Sequence, residues 1–120
     1  MTHFKFTFLL ALLLFFLACN SAHDATLLHG KWKVADWREV NSGKSISQKM
    51  VFDFKTDKSY IIDYGAQKEE GSYYISGEYL HTKENQGIEK SVLIKSLSKD
   101  SLVLNMNRAG SLEEIALVRP

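Results

Sequence analysis

The chain has 120 residues, a formal net charge of +1 and a single proline at its last position. That length suits one small domain, and the near-neutral charge excludes the basic field that nucleic-acid binding needs. Its one cysteine excludes an intramolecular disulfide, so the fold must rest on its core, for which a 45% hydrophobic content is sufficient.

At the N-terminus Lys5 precedes an apolar run, Phe6 to Leu17, whose one polar residue is Thr7. A charged start followed by so short a run reads as a signal helix rather than a membrane span. The run ends Phe16-Leu17-Ala18-Cys19, which resembles a bacterial lipoprotein signal with its lipobox. The resemblance implies cleavage before Cys19 and lipidation of its thiolate. It makes residues 1–18 a signal peptide and 19–26 a lipidated tether (Asn20 to Thr26 are small and polar). An ordinary secretory signal ending near a cysteine is the alternative. Removing Lys5 with the signal leaves basic and acidic side chains in balance. Asn20 is not the aspartate of inner-membrane retention, and the tether carries no acidic cluster like a surface-export signal. The implied location is the cell envelope, at the outer membrane facing the periplasm.

From Leu27 onward the pattern is period-two alternation broken by short polar or glycine turns, the mark of half-buried strands. The first segment, Gly30 to Val40, puts Trp32 and Val34 on one face, and its alternation slips at Trp37, which predicts a bulge. Gln48 to Lys55 turns Met50, Phe52 and Phe54 to one side. Ser59 to Tyr64 does the same with Tyr60, Ile62 and Tyr64. Gln67 to Ile75 carries Tyr73 and Tyr74, and Glu78 to Thr82 sets Tyr79 and Leu80 on opposite faces. Ile88 to Leu97 aligns Val92 with Ile94. Ser101 to Asn107 aligns Leu102, Leu104 and Met106, and Leu112 to Arg119 aligns Ile115 and Leu117.

Eight strands joined by hairpin-length turns predict an antiparallel up-and-down meander that closes into an all-β barrel over residues 27–120. Closure removes exposed strand edges. Almost no helix is expected outside the signal.

Several stretches resemble the lipocalin-like domains of small bacterial lipoproteins of the Bacteroidetes type. They are Leu28-His29-Gly30-Lys31-Trp32, Phe52 to Tyr60, Gly71 to Leu80 and Leu97 to Leu104. The resemblance implies a barrel with a ligand cup and carries over no catalytic residue. It also implies a structural role for Trp32, packed across the barrel base under an arginine from near the chain end, a place that Arg119 fills.

Catalytic and metal chemistry is not legible. Paired cysteines, a His-Glu-x-x-His motif and a Gly-x-Ser-x-Gly elbow are all missing from the sequence. His23, Asp24 and His29 read as solvated residues rather than a metal site, and His81 reads as outward-facing. Glu69 and Glu70 point to opposite faces of a strand and read as a solvated hairpin shoulder. The expectation is a non-enzymatic protein without cofactor or metal. Phe52, Phe54, Tyr60, Tyr64 and Tyr74, with Met106, are the candidate lining of a cup for a small apolar or amphipathic ligand. The same rings could instead fill the barrel. In that case the chain reads as a protein-binding envelope module, an inhibitor or accessory subunit, using Trp37 and Tyr79 as outward anchors.

Overall fold

The computed structural model describes residues 23–120. The expected signal peptide, Cys19 and the first part of the expected tether lie outside the described residues. Eight strands follow one another in chain order around a closed barrel, each antiparallel to its neighbours, with β1 closing on β8. They are β1 (Gly30–Glu39), β2 (Val51–Phe54), β3 (Ser59–Asp63), β4 (Lys68–Ser76), β5 (Tyr79–Glu84), β6 (Glu89–Leu97), β7 (Ser101–Arg108) and β8 (Ser111–Val118).

Chain entry is ordered by local capping. The Asp24 carboxylate accepts from the backbone N–H and the hydroxyl of Thr26 at 3.0 and 2.7 Å, and it caps a 3-10 turn over Ala25–Leu28. Residues 24–26, counted above with the tether, are thus the cap and first half of this turn. Its last residue, Leu28, is fully buried under the barrel.

The barrel has two ends. The base gathers the 3-10 turn and the connections after β2, β4 and β6, and the mouth gathers those after β1, β3, β5 and β7. Fifteen apolar residues form one continuous core, including Trp32, Phe52, Phe54, Tyr60, Tyr73, Leu102, Leu104 and Leu117. The expected bulge is present: the pairing of β1 with β8 shifts between Val34 and Asp36, which returns Trp37 to the interior. Trp37 is buried and is therefore no outward anchor.

The bulge also explains why β2 is shorter than its alternation predicts. Pairing of β1 with β2 ends at Lys33 and Val51, and Gln48 to Met50 run outside the strand. Upper β1 is served instead by the loop, through Ile46 N–H to Trp37 C=O (2.8 Å) and Val34 N–H to Met50 C=O (3.3 Å).

Candidate functional site

The base is sealed by residues whose polar atoms end on backbone carbonyls. The Trp32 indole N–H donates to the Leu28 carbonyl at 2.9 Å. Arg119 lies over the Trp32 ring, 3.6 Å from its centroid, and donates to the carbonyls of Leu27, Lys31 and Lys99 at 2.8, 3.1 and 3.2 Å. Gly30 makes room for it: a Cβ there would lie 3.1 Å from Arg119 Nη1, and its φ of +105° suits only glycine. Phe54 packs edge-on against Tyr73 at 5.0 Å, and the Tyr73 hydroxyl donates to the Lys55 carbonyl at 2.7 Å. Phe54, a candidate cup residue, is thereby part of the packed base.

Toward the mouth the interior turns polar. Tyr60 and Tyr64, inward on and just beyond β3, donate their hydroxyls to the two oxygens of Glu69 on β4, at 2.6 and 3.1 Å. Burial, and then the Glu69 carboxylate, raises both phenols; Tyr64 is pushed up to about 12. Glu69 is cross-strand from buried Ile62 and faces inward, which corrects the expectation of a solvated shoulder; Glu70 is exposed. Glu84 is opposite Gly71, whose backbone faces the interior. A Cβ on Gly71 would meet the Lys83 carbonyl at 2.0 Å, so only glycine allows β4 and β5 to approach here.

On the opposite wall Glu113 of β8 is 2% exposed. The Trp37 indole N–H donates to its Oε1 at 3.0 Å, and Arg108 pairs with its Oε2 at 3.0 Å while lying 5.4 Å from the Trp37 ring centroid. Glu39, directly cross-strand from Glu113, accepts from the Ser111 hydroxyl at 2.9 Å. Sequence reading missed this wall. The signal was present, since the alternation of Leu117 and Ile115 lands next on Glu113.

A cleft of about 670 Å³ opens at the mouth, lined by Tyr64, Glu69, Glu84 and the polar residues of the two adjoining connections. A second hollow of about 410 Å³ lies beside the β1–β2 gap, over Val34 and Met50. Of the candidate cup residues, the fold brings Tyr60 and Tyr64 together at the mouth and packs Met106 against the core. Tyr74 is corrected: it is 45% exposed on the outer face, stacked on His81 with centroids 4.5 Å apart. Tyr73 takes the inward position. His81, on that outer wall, shares a hydrogen bond with the Ser91 hydroxyl, and Tyr79 is exposed beside it. Among the described residues no group of three or more His, Cys, Asp or Glu is placed to hold a metal ion.

A family model described as a lipocalin-like domain matches residues 28–104. The fold is similar to the crystal structure of a lipocalin-like protein from Bacteroides uniformis, with a TM-score of 0.63 at 17% identity over 78% of this chain and 99% of that one. It is also similar to an uncharacterized protein from Bacteroides eggerthii, with a TM-score of 0.61 at 11% identity over 77% and 98% of the two chains. No curated protein matches the chain.

Proposed function

The chain belongs to the lipocalin-like domain family, and from that premise we propose that it captures a small amphipathic molecule at the open end of its barrel. The observation that carries this reading is the contrast along the barrel axis. Apolar side chains fill the base, whereas the mouth holds a cleft of about 670 Å³ with the half-buried Tyr64 hydroxyl and Glu69 carboxylate at its wall. That size falls within the usual range of small-molecule pockets, about 300–1,000 Å³. The ligand's apolar part would bury against the inner wall, with the polar residues fixing its orientation. The reading is one of binding, without a chemical step.

Cys19 and the lipobox-like run before it support tethering of this barrel to the cell envelope, at the outer membrane on its periplasmic side. The 3-10 turn enters at the base, so the tether would leave the mouth at the far end. The test is mass spectrometry of protein purified from its native envelope, for an acylated Cys19 and for co-purifying small molecules. Each recovered compound is then titrated in a thermal-shift measurement, which should raise the melting temperature with concentration. An N-terminus elsewhere sinks the anchor; a recovered pool without effect on melting sinks capture.

A second reading, an envelope module that docks another protein, is favoured by one observation. Tyr74 and Tyr79 stand 45% and 48% exposed on the same outer wall, on either side of His81. Exposed tyrosines of this kind are frequent anchors of protein interfaces. Replacing both by serine should leave ligand capture intact and abolish partner pull-down if this wall is the working surface.

A further inference from the structure

We propose that the mouth cleft selects a ligand with a protonated primary amine, its N–H groups donating to the carboxylates of Glu69 and Glu84 beside Tyr64. The inference rests on the capture reading and adds the chemistry of the ligand's head group.

It follows from which hydrogen-bonding groups the cleft wall has left. The inward hydroxyls at this end, Tyr64 in the cleft wall and Tyr60 behind it, both already donate to Glu69, and the other donors of the lining, Lys68 and the amides of Gln67, Asn85 and Gln86, belong to exposed residues. A phenol has one proton to give, so neither can also donate to a ligand carboxylate or carbonyl. Each Glu69 oxygen accepts one hydroxyl and keeps a further lone pair. Glu84 faces the same cleft from β5 and also raises both phenols, which places its charge near them. Neither carboxylate forms an ion pair among the described residues. The charged lining is Lys68 against Glu69, Glu70 and Glu84, so an anionic head group meets net repulsion there. Lys68 and Glu70 belong to the outward positions of β4, which leaves the inward wall negative. An ammonium group supplies donors and a charge that match the two inward carboxylates, and the face of a tyrosine ring beside it is a favourable neighbour for a cation. Ile62, the cross-strand neighbour of Glu69, belongs to the buried apolar core behind this wall.

The probes are octylammonium, octyltrimethylammonium, octanol and octanoate, which share one chain and differ in head group. Each is titrated into the purified protein by calorimetry. Octylammonium should bind about tenfold or more tightly than the other three, and the trimethylated probe should be weaker because it has no N–H to donate. Glu69→Gln and Glu84→Gln should each lower the octylammonium affinity about tenfold and so close most of its margin over octanol. Glutamine at position 69 still accepts one tyrosine hydroxyl through its carbonyl and donates its amide to the oxygen of the other, and among the described residues no side-chain hydrogen bond depends on Glu84. If octanol or octanoate binds as well as octylammonium, or if both variants keep wild-type affinity for it, the amine inference is overturned while capture stands. If none of the four probes binds, capture of an amphipath at the mouth falls as well.

Discussion

Each end of the barrel holds a tryptophan with an arginine over it, and the two pairs are finished differently. At the base the Trp32 N–H and all three Arg119 hydrogen bonds end on backbone carbonyls. At the mouth the Trp37 N–H and the Arg108 guanidinium both end on one side chain, the buried carboxylate of Glu113. A carbonyl of the closed end neither titrates nor swings away, so the base is a permanent seal. A carboxylate carries charge and can exchange partners with solvent or ligand. The same two residue types therefore make a lid at one end and an adaptable polar wall at the other.

The sharpest way to break this comparison is to remove the tryptophans. Trp32→Ala should cost about 3–5 kcal/mol in urea unfolding, because its site is sealed on every side and leaves a cavity. Trp37→Ala should fall at or below the low end of that range, since water can enter from the mouth and hydrate Glu113. Equal costs would mean that the mouth is as closed as the base.

Removing the arginines comes next in size. Arg108→Ala leaves Glu113 buried without a cation and directly opposite Glu39, a like-charge pair across β1 and β8. A loss of about 2–3 kcal/mol is expected, reduced from the full cost of breaking a buried pair because Arg108 is itself more than half exposed. The double variant with Glu113→Gln should recover most of it, which a double-mutant cycle measures directly. Arg119→Lys is expected to cost about 1–2 kcal/mol, since an ammonium cannot reach three carbonyls while covering the indole. No second-site change of charge should rescue it, because its acceptors are backbone.

The difference between the ends also accounts for what the sequence shows. The base is legible because apolar period-two alternation marks it. Trp32, Phe52, Phe54, Leu102, Leu104, Ile115 and Leu117 all point where their spacing predicts. Tyr74 misleads because Tyr73, Tyr74 and Ile75 are apolar in succession and carry no phase. Their phase is set by Gly71, where β4 passes too close to β5 for any side chain. The mouth is hard to read because its inward residues are charged. Hydrophobic patterning gives an inward strand face to apolar residues and returns Glu69 and Glu113 to solvent. Carrying the alternation of Ile75, Tyr73 and Gly71 one step further reaches Glu69. Physical cost hides such residues, since a buried carboxylate is tolerated only with partners that come from other strands. Tyr60 and Tyr64 are 9 and 5 positions from Glu69, but Trp37 is 76 positions from Glu113 in the chain.

The smallest effect at neutral pH is the most discriminating at high pH. Losing one phenol hydroxyl by Tyr64→Phe should cost about 1 kcal/mol at pH 7. Above that the sign is set by proton linkage. Burial and the Glu69 charge raise Tyr60 and Tyr64 above the ordinary value of 10.0, Tyr64 to about 12. The folded protein thus holds these protons more tightly than the unfolded chain. Their contribution is fully present below pH 10 and is lost as pH rises from there through the folded values. Tyr73 at the base is also raised, by burial and then by Asp57, but its hydroxyl donates to an uncharged carbonyl. Urea midpoints followed from pH 9 to pH 12 should therefore fall steeply for the native protein. Tyr64→Phe should flatten that fall more than Tyr73→Phe does. Glu69→Gln should flatten it too, because it removes the charge while keeping an acceptor. If Tyr73→Phe flattens the curve as much as Tyr64→Phe, the anion at the mouth adds nothing beyond burial. The two ends would then differ in packing alone.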